Sequence, residues 1–114
     1  MPPMPRSFAG SWAASEQAGA ARGSVADYGR QLYGAVAAHG LADLGAEGRV
    51  VVARGGSPTA QVWRLTTEQM RGGIVGTGMV SKDELEHYLA LLENPDFTWL
   101  MPTMIAVWGR RPAA

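Results

Sequence analysis

Residues 78–112, GMVSKDELEHYLALLENPDFTWLMPTMIAVWGRRP, decide the fold because they predict a helix with a defined start and stop, followed by a strand. Ser81 and Glu84 have the S-x-x-E spacing of a capping box, in which each side chain hydrogen-bonds the other residue's backbone amide. The apolar residues that follow recur at helical spacing: Leu85, Tyr88, Leu89 and Leu92. This periodicity predicts one buried stripe along the helix.

Prolines mark the end of this helix and divide the segment after it. Asn94 precedes Pro95, and a residue before proline is disfavoured in the α region, so the helix is expected to end there. Residues 97–108 are rich in aromatic and β-branched side chains, which is typical of strands. Pro102 cannot donate a ladder hydrogen bond and is expected to separate a leading segment from a buried strand over residues 103–108.

The composition excludes several classes of function. The 114 residues suffice for one hydrophobic core, and the ten acidic and ten basic residues cancel. The basic residues are scattered, which argues against a nucleic-acid interface or a membrane-surface patch. There is no cysteine for disulfides or thiolate ligands, and no apolar run approaches the roughly 20 residues of a membrane span. The N-terminus lacks the pattern of a secretory signal, so a cytoplasmic location is expected.

The chain is expected to consist of an arm and one domain. Residues 1–23 are rich in proline, alanine and glycine and are predicted to form a flexible arm. Phe8 and Trp12 are the two side chains in it that could dock. Residues 24–114 are predicted to form the domain.

Two elements open the predicted domain. A helix is expected over residues 24–40, with Ser24 as its N-cap and Gly40 as the left-handed residue after its end. Residues 49–54, RVVVAR, form a continuous apolar run between arginines, which predicts a strand covered on both faces.

A further helix is predicted between this strand and residue 78. Ser57 and Pro58 have the character of an N-cap and a first helical residue. Thr66 and Gln69 have the spacing of a second capping box, so a break is expected near residues 65–67.

The glycine-rich stretches are interpreted as structural. A helix precedes the cluster at residues 72–78, whereas a dinucleotide-binding loop follows a strand, so a frayed helix end is predicted. Residues 55–58 follow a strand and open a helix, which makes them a better candidate anion site, but a simple turn is favoured. No His, Asp or Glu side chains have metal-ligand spacing together with a third ligand, so no metal is expected.

A site for an apolar molecule is the main chemical prediction. Large aromatic and thioether side chains line such sites, and they equally build cores and dimer interfaces. The residues predicted to bind the substrate are Trp63, Met70, Trp99, Met101 and Met104. The polar candidates for catalysis are Tyr33, Arg64, Glu68 and His87. A general-base role for His87 would require a pocket and an orienting partner, which the sequence does not reveal.

From residue 27 to residue 112 the chain resembles the C-terminal part of class I S-adenosylmethionine-dependent methyltransferases, of the kind found in actinobacterial natural-product pathways. Three groups of residues carry the resemblance: Tyr28-Gly29-Arg30-x-Leu32 with Gly40-Leu41-Ala42-Asp43-Leu44; Gly48-Arg49-Val50-Val51-Val52 and Gly55-Gly56-Ser57-Pro58 with Trp63, Leu65 and Thr66; and Asn94-Pro95-Asp96-Phe97 with Ala106-x-Trp108-Gly109-Arg110-Arg111-Pro112.

The resemblance implies that residues 49–54 and 103–108 are the last two strands of the family's sheet, antiparallel to each other. It also implies that residues 58–93 are a helical cap over the substrate. Periodicity alone leaves parallel and antiparallel pairing open. The family's cofactor motifs, a glycine-rich turn and two acidic motifs, have no counterpart in these 114 residues. The expected fold is α+β, a fragment of the methyltransferase fold with one antiparallel strand pair and about four helices, and no cofactor is expected.

A strand pair taken from a larger sheet leaves an exposed edge and is marginal alone, so the sheet is predicted to continue across a homodimer. Three functions are compatible with this interpretation. The first is binding of an apolar natural-product intermediate, with cofactor-free cyclisation or isomerisation as the expected reaction. Alternatively it is an accessory or split half of a methyltransferase and acts with a cofactor-binding partner. The third alternative is a non-catalytic dimerisation module.

Overall fold

The computed structural model describes residues 4–113, which form two compact units. Residues 4–24 and Val52–Trp99 form the first, here called the helical unit, and Val25–Val51 with residues 100–113 form the second, the ribbon unit. In chain order the elements are α1 (Arg6–Ala20), α2 (Gly29–Ala37), β1 (Ala42–Arg49), β2 (Val52–Arg54), α3 (Pro58–Gly76), α4 (Lys82–Glu93), β3 (Thr98–Leu100) and β4 (Met104–Arg110).

The fold is α+β, as predicted, with four helices and two small antiparallel sheets within the described residues. β1 pairs with β4, and β2 pairs with β3. The predicted division into an arm over residues 1–23 and a domain over residues 24–114 stays a prediction; one boundary between the two units lies between Ser24 and Val25. Among residues 4–113, no helix combines the length and apolar character that a membrane crossing requires.

Local sequence signals determine α4. The Ser81 hydroxyl accepts a hydrogen bond from the Glu84 amide at 3.1 Å, and the Glu84 carboxylate accepts one from the Ser81 amide at 3.3 Å, so the capping box is confirmed. The predicted apolar stripe is buried: Leu85, Tyr88, Leu89 and Leu92. The helix ends before Asn94, whose backbone is extended, as expected for a residue preceding proline.

The start of α3 follows the prediction, but its predicted break is wrong. The Ser57 hydroxyl accepts from the Ala60 amide at 3.2 Å, with Pro58 in the first turn. The helix then runs unbroken to Gly76. Thr67 is buried and hydrogen-bonds Tyr88 of α4. Packing between α3 and α4 therefore overrides the local capping signal at residues 65–67.

The greatest difference from the sequence interpretation is α1. Residues 6–20 of the expected flexible arm form a packed helix, while residues 1–3 of that arm lie outside the described residues. Phe8 is only 5% exposed, and its ring centroid lies 5.2 Å from Tyr88, 5.3 Å from Phe97 and 5.6 Å from Trp99. One large aromatic anchor thus secures a helix made mostly of small residues.

The ribbon unit consists of β1, β4 and α2. The ladder is antiparallel, with Gly45 opposite Trp108, Glu47 opposite Ala106 and Arg49 opposite Met104. Residues 103–108 therefore pair mainly with Ala42–Arg49 and not with residues 49–54 as predicted. Pro102 lies between two separate strands, β3 and β4. The strand within residues 49–54 is β2, and it pairs with the short β3.

The valine run at residues 50–52 does not form a strand covered on both faces. Val50 is 54% exposed and lies outside the strands, and only Ala53 of the RVVVAR segment is buried. A strand is covered on both faces only when layers pack on each side of its sheet, and the two-stranded sheets here do not provide them.

α2 is shorter than predicted. It begins at Gly29, and Ser24 is not its N-cap, since the residue before the helix is Tyr28 and makes no side-chain capping bond. Gly40 adopts the left-handed conformation predicted for it, with a φ of 73°.

Candidate functional site

A groove on the helical unit lies between the C-terminal halves of α1 and α3. It encloses about 320 Å³ and is open to solvent on one side. Its lining residues are Gln17, Ala18, Ala21, Arg22, Met70, Gly73, Gly76 and Thr77. Ligand pockets usually enclose roughly 300 to 1,000 Å³, so the groove is at the small end of that range.

Small residues create the groove. A Cβ atom added at Gly73 would lie 3.6 Å from the Cβ of Ala18, and one added at Gly76 would meet nothing within 4 Å. The helices therefore approach each other through residues without long side chains and leave open space beside Met70. Two glycines of the cluster at residues 72–78 thus belong to a continuous helix and to a groove, and this part of the cluster is not frayed.

The polar groups at the groove differ in their availability. The Thr77 hydroxyl donates to the Ile74 carbonyl at 2.7 Å and accepts from the Met79 amide at 3.2 Å, so it is engaged in ending α3. Arg22 is exposed, and within residues 4–113 no carboxylate forms an ion pair with it. The groove can therefore combine apolar walls with a cationic rim, an arrangement suited to an apolar acid.

The structure brings one of the predicted substrate-binding residues, Met70, to this groove. Trp63 lies on the same helix and its ring packs against that of Trp12 in a tilted arrangement, with ring centroids 4.9 Å apart. Trp99 is 1% exposed and belongs to the core of the helical unit, so it is not available to a ligand. Met101 and Met104 belong to the ribbon unit, and Met104 is exposed.

Two of the predicted catalytic residues form polar pairs on the surface of the helical unit. The Arg64 guanidinium donates to the Gln61 side chain at 2.8 Å and lies 3.5 Å from the Glu93 carboxylate. The Glu68 carboxylate accepts from Arg71 at 3.0 Å. Arg71 also pairs with Glu86, and the hydrogen bonds that its guanidinium donates to the two carboxylates, the one to Glu86 first, raise its pKa.

The third polar candidate, His87, contacts a residue that the sequence interpretation had assigned to the arm. Its Nδ1 atom lies 2.6 Å from the Ser7 hydroxyl, and the histidine tautomer determines which of the two donates. Ser7 lies in the first turn of α1 and is mostly buried, so the bond joins α4 to α1. A hydroxyl beside an imidazole is the core of a nucleophile–base pair, but within the described residues no hydrogen bond to a third group orients the ring.

Tyr33, the fourth polar candidate, is separate from the other three. It lies on α2 of the ribbon unit and is 49% exposed. The structure therefore does not gather the four predicted catalytic side chains into one site. Within residues 4–113 there is also no group of three or more His, Asp or Glu residues placed to hold a metal ion.

Of the residues that line the groove, only Met70 was predicted from the sequence. Gly73 and Ala18 carry no functional group and give no chemical signal, and Arg22 of the groove, like Ser7 beside His87, belongs to a segment that was interpreted as an arm. Comparisons with protein-family models, curated proteins and solved structures find no match to the chain.

Proposed function

We propose that the protein is a methyltransferase-like binding protein for an apolar small molecule, held in the groove of the helical unit. The observation that carries the proposal is the groove itself, whose small-residue floor leaves about 320 Å³ beside Met70. Arg22 at its rim is exposed and favours a ligand with an acidic group. A natural-product intermediate with aromatic rings and a carboxylate or phenol has this chemistry.

The resemblance to the methyltransferase family supports the location. It implies that residues 58–93 cover the substrate, and half of the groove comes from that segment. The ligand would then occupy the face of α3 that carries Met70, Gly73 and Gly76. A cytoplasmic location, expected because the N-terminus lacks the pattern of a secretory signal, is part of the same proposal.

The proposal is restricted to binding and assigns no reaction. Arg64 and Glu68 are paired with other side chains, and Tyr33 lies in the ribbon unit. The geometry therefore gives no support to the cyclisation or isomerisation expected from the sequence, because such catalysis requires polar groups that converge on one ligand.

Filling the groove tests the proposal. Gly73→Leu places a side chain in the groove, whereas Gly72→Leu on the neighbouring residue is the matched control, since Gly72 does not line the groove and an added Cβ meets nothing within 4 Å. Both changes raise helix propensity, so neither is expected to unfold α3. Isothermal titration with 2-naphthoic acid should show at least roughly tenfold weaker binding to the Gly73→Leu protein and unchanged binding to the Gly72→Leu protein.

The role of Arg22 is tested with a neutral ligand. Arg22→Gln should weaken binding of 2-naphthoic acid and leave binding of 2-naphthalenemethanol unchanged, because only the acid forms a charge-assisted hydrogen bond. Equal affinity of the Gly73→Leu and unaltered proteins for both ligands, or no binding of either at millimolar concentration, would contradict the proposal.

The ribbon unit favours a second candidate function, that of an accessory subunit to a cofactor-binding methyltransferase chain. Its two-stranded sheet leaves Met104 and Trp108 exposed, as expected of a surface that another chain covers. Methyl transfer that appears only when the protein is mixed with a cofactor-binding chain, together with co-purification of the two, would support this candidate. A chain that remains fully active without the protein would exclude it.

A further inference from the structure

We infer that the free edge of β4 is a strand-pairing surface and that it pairs with β4 of a second copy of this chain about a two-fold axis at Ala106. The inference concerns the ribbon unit and is independent of ligand binding by the helical unit. Within residues 4–113, β4 pairs only with β1, so its other edge carries unpaired backbone groups. Such an edge is a template for another strand.

The two outer edges of the ribbon differ in how they are protected. β1 carries Asp43, Glu47 and Arg49, and its register shifts between Ala42 and Gly45. Asp43 adopts a φ of 52° and forms an ion pair with Arg110 across the ladder, with its carboxylate 2.6 Å from the guanidinium. Charges and bulges are the features by which edge strands avoid further pairing, so β1 has the character of an outer edge.

β4 has the opposite character. Its sequence is MIAVWGR, which contains no proline and no charged residue before Arg110. Both of its faces are apolar. Ile105 points towards α2, since a Cβ added at Gly29 would lie 3.0 Å from the Ile105 Cγ1 atom. Met104, Ala106 and Trp108 alternate onto the other face. A strand that is apolar on both faces is typical of the interior of a sheet.

Large apolar side chains of the ribbon unit are exposed. Nine of its large apolar residues each expose between 37% and 68% of their surface: Val25, Tyr28, Tyr33, Val50, Val51, Leu100, Met104, Ile105 and Trp108. Together they expose on the order of several hundred Å² of side-chain surface. Standard interfaces bury about 800 Å² on each partner.

A second copy is the partner that fits both edges. Pairing β4 with β4 gives a four-stranded sheet whose two outer strands are both β1, and these edges are already protected, so assembly stops at two chains. Because β4 carries no charge between Met104 and Gly109, no like charges meet across the new ladder. If an outer strand of the four-stranded sheet were unprotected, further chains could continue to pair with it.

The apolar pattern also selects a register. With Ala106 opposite its own copy, Met104 lies opposite Trp108, a pair that favours sulfur–aromatic contact, and Ile105 lies opposite Val107. Arg110 then falls opposite Pro102, beyond the paired strands. A shift of the axis to Val107 would place Arg110 opposite Met104 and lose the Met104–Trp108 pair.

Single cysteines test the edge and the register in the full-length chain, which has no cysteine of its own. Under oxidised glutathione, Ala106→Cys should give a disulfide-linked dimer, because the two cysteines face each other at the axis. Glu47→Cys is the matched control, since Glu47 lies directly opposite Ala106 on β1. Cross-linking of the Glu47→Cys protein alone would place the interface at β1 and overturn the inference.

Charge complementation separates loss of pairing from loss of folding. The unaltered protein should sediment at twice its chain mass of 12.1 kDa. Ala106→Lys should weaken the dimer by roughly 100-fold, because two lysines would oppose each other at the axis, and Ala106→Glu should act similarly. An equimolar mixture of the two variants should recover the dimer. A monomeric unaltered protein, including one that associates only with a different chain, or a mixture that does not recover, would overturn the inference.

Discussion

The two units of the chain differ in whether they complete a core. Every fully buried apolar side chain among residues 4–113 lies in the helical unit, where the aromatic rings of Phe8, Tyr88 and Trp99 meet. The ribbon unit buries none of its large side chains fully. Helix packing closes the core of the first unit by itself, whereas a two-stranded sheet with one helix does not close a core in the second.

Two tryptophans give the largest expected contrast. Trp99 is 1% exposed in the helical unit and Trp108 is 50% exposed in the ribbon unit. Trp99→Ala should lower the free energy of unfolding by about 3–5 kcal/mol, because it opens a cavity in a closed core. Urea unfolding followed by circular dichroism at 222 nm measures the loss.

Trp108→Ala is the matched control for that prediction. In monomer-forming conditions it should lower the free energy of unfolding by about 2 kcal/mol or less, because half of the residue's surface is already in water. Equal destabilisation by the two substitutions would break the contrast between the units.

The pH dependence of the helical unit is expected to reflect Tyr88. Burial raises the pKa of its phenol, and the hydrogen bond with Thr67 opposes that shift. The neutral phenol's contribution to stability is therefore fully present below about pH 10, the pKa of an unfolded tyrosine. It declines as the pH rises from there through the raised folded pKa, because the unfolded state releases its proton first.

Urea midpoints between pH 8 and pH 11 check this dependence. Tyr88→Phe removes the titrating group and should lower stability at pH 8 by about 1 kcal/mol through loss of the hydrogen bond to Thr67. Its midpoint should fall less steeply above pH 10 than that of the unaltered protein. Parallel curves for the two proteins would show that Tyr88 does not titrate with folding.

Helix caps provide a smaller test. Ser81→Ala and Ser57→Ala should each lower the free energy of unfolding by about 1 kcal/mol, because each serine accepts a hydrogen bond from an amide of the first turn. Ser24→Ala should change it by less than about 0.5 kcal/mol, since Ser24 does not cap α2. Thermal unfolding of the three variants measures the difference, and a large effect at Ser24 would favour the longer helix predicted from the sequence.

The parts of the fold that were predicted correctly are determined by residues that are close together in the sequence. The capping box at Ser81 and the stripe that follows it are local signals, as are Ser57 with Pro58 and the division of the last strands around Pro102. These features need no knowledge of distant residues, so a single sequence suffices to identify them.

The missed elements depend on residues far apart in the chain. α1 is held by Phe8 against rings some 80 to 90 residues later, and nothing in its alanine-rich sequence indicates that contact. β1 reads ADLGAEGR, with two glycines and no regular apolar alternation, so its pairing with β4 could not be seen in its own sequence.

The candidate site was only partly predictable for a related reason. Met70 was found because a long thioether is a recognisable pocket residue. Gly73 and Ala18 shape the groove because they have no long side chains. This effect can be recognised only once α1 and α3 are known to lie side by side. The predicted polar candidates were chosen by chemistry alone, and the structure places them at separate positions.

Amide hydrogen exchange measured at several protein concentrations tests the difference between the units most directly. Exchange protection in α3 and α4 should be independent of concentration, because the helical unit closes its own core. Protection in β4, and in β1 paired with it, should rise with concentration as second copies complete the sheet. Protection of β1 and β4 that is as strong as that of α4 and independent of concentration would contradict the account.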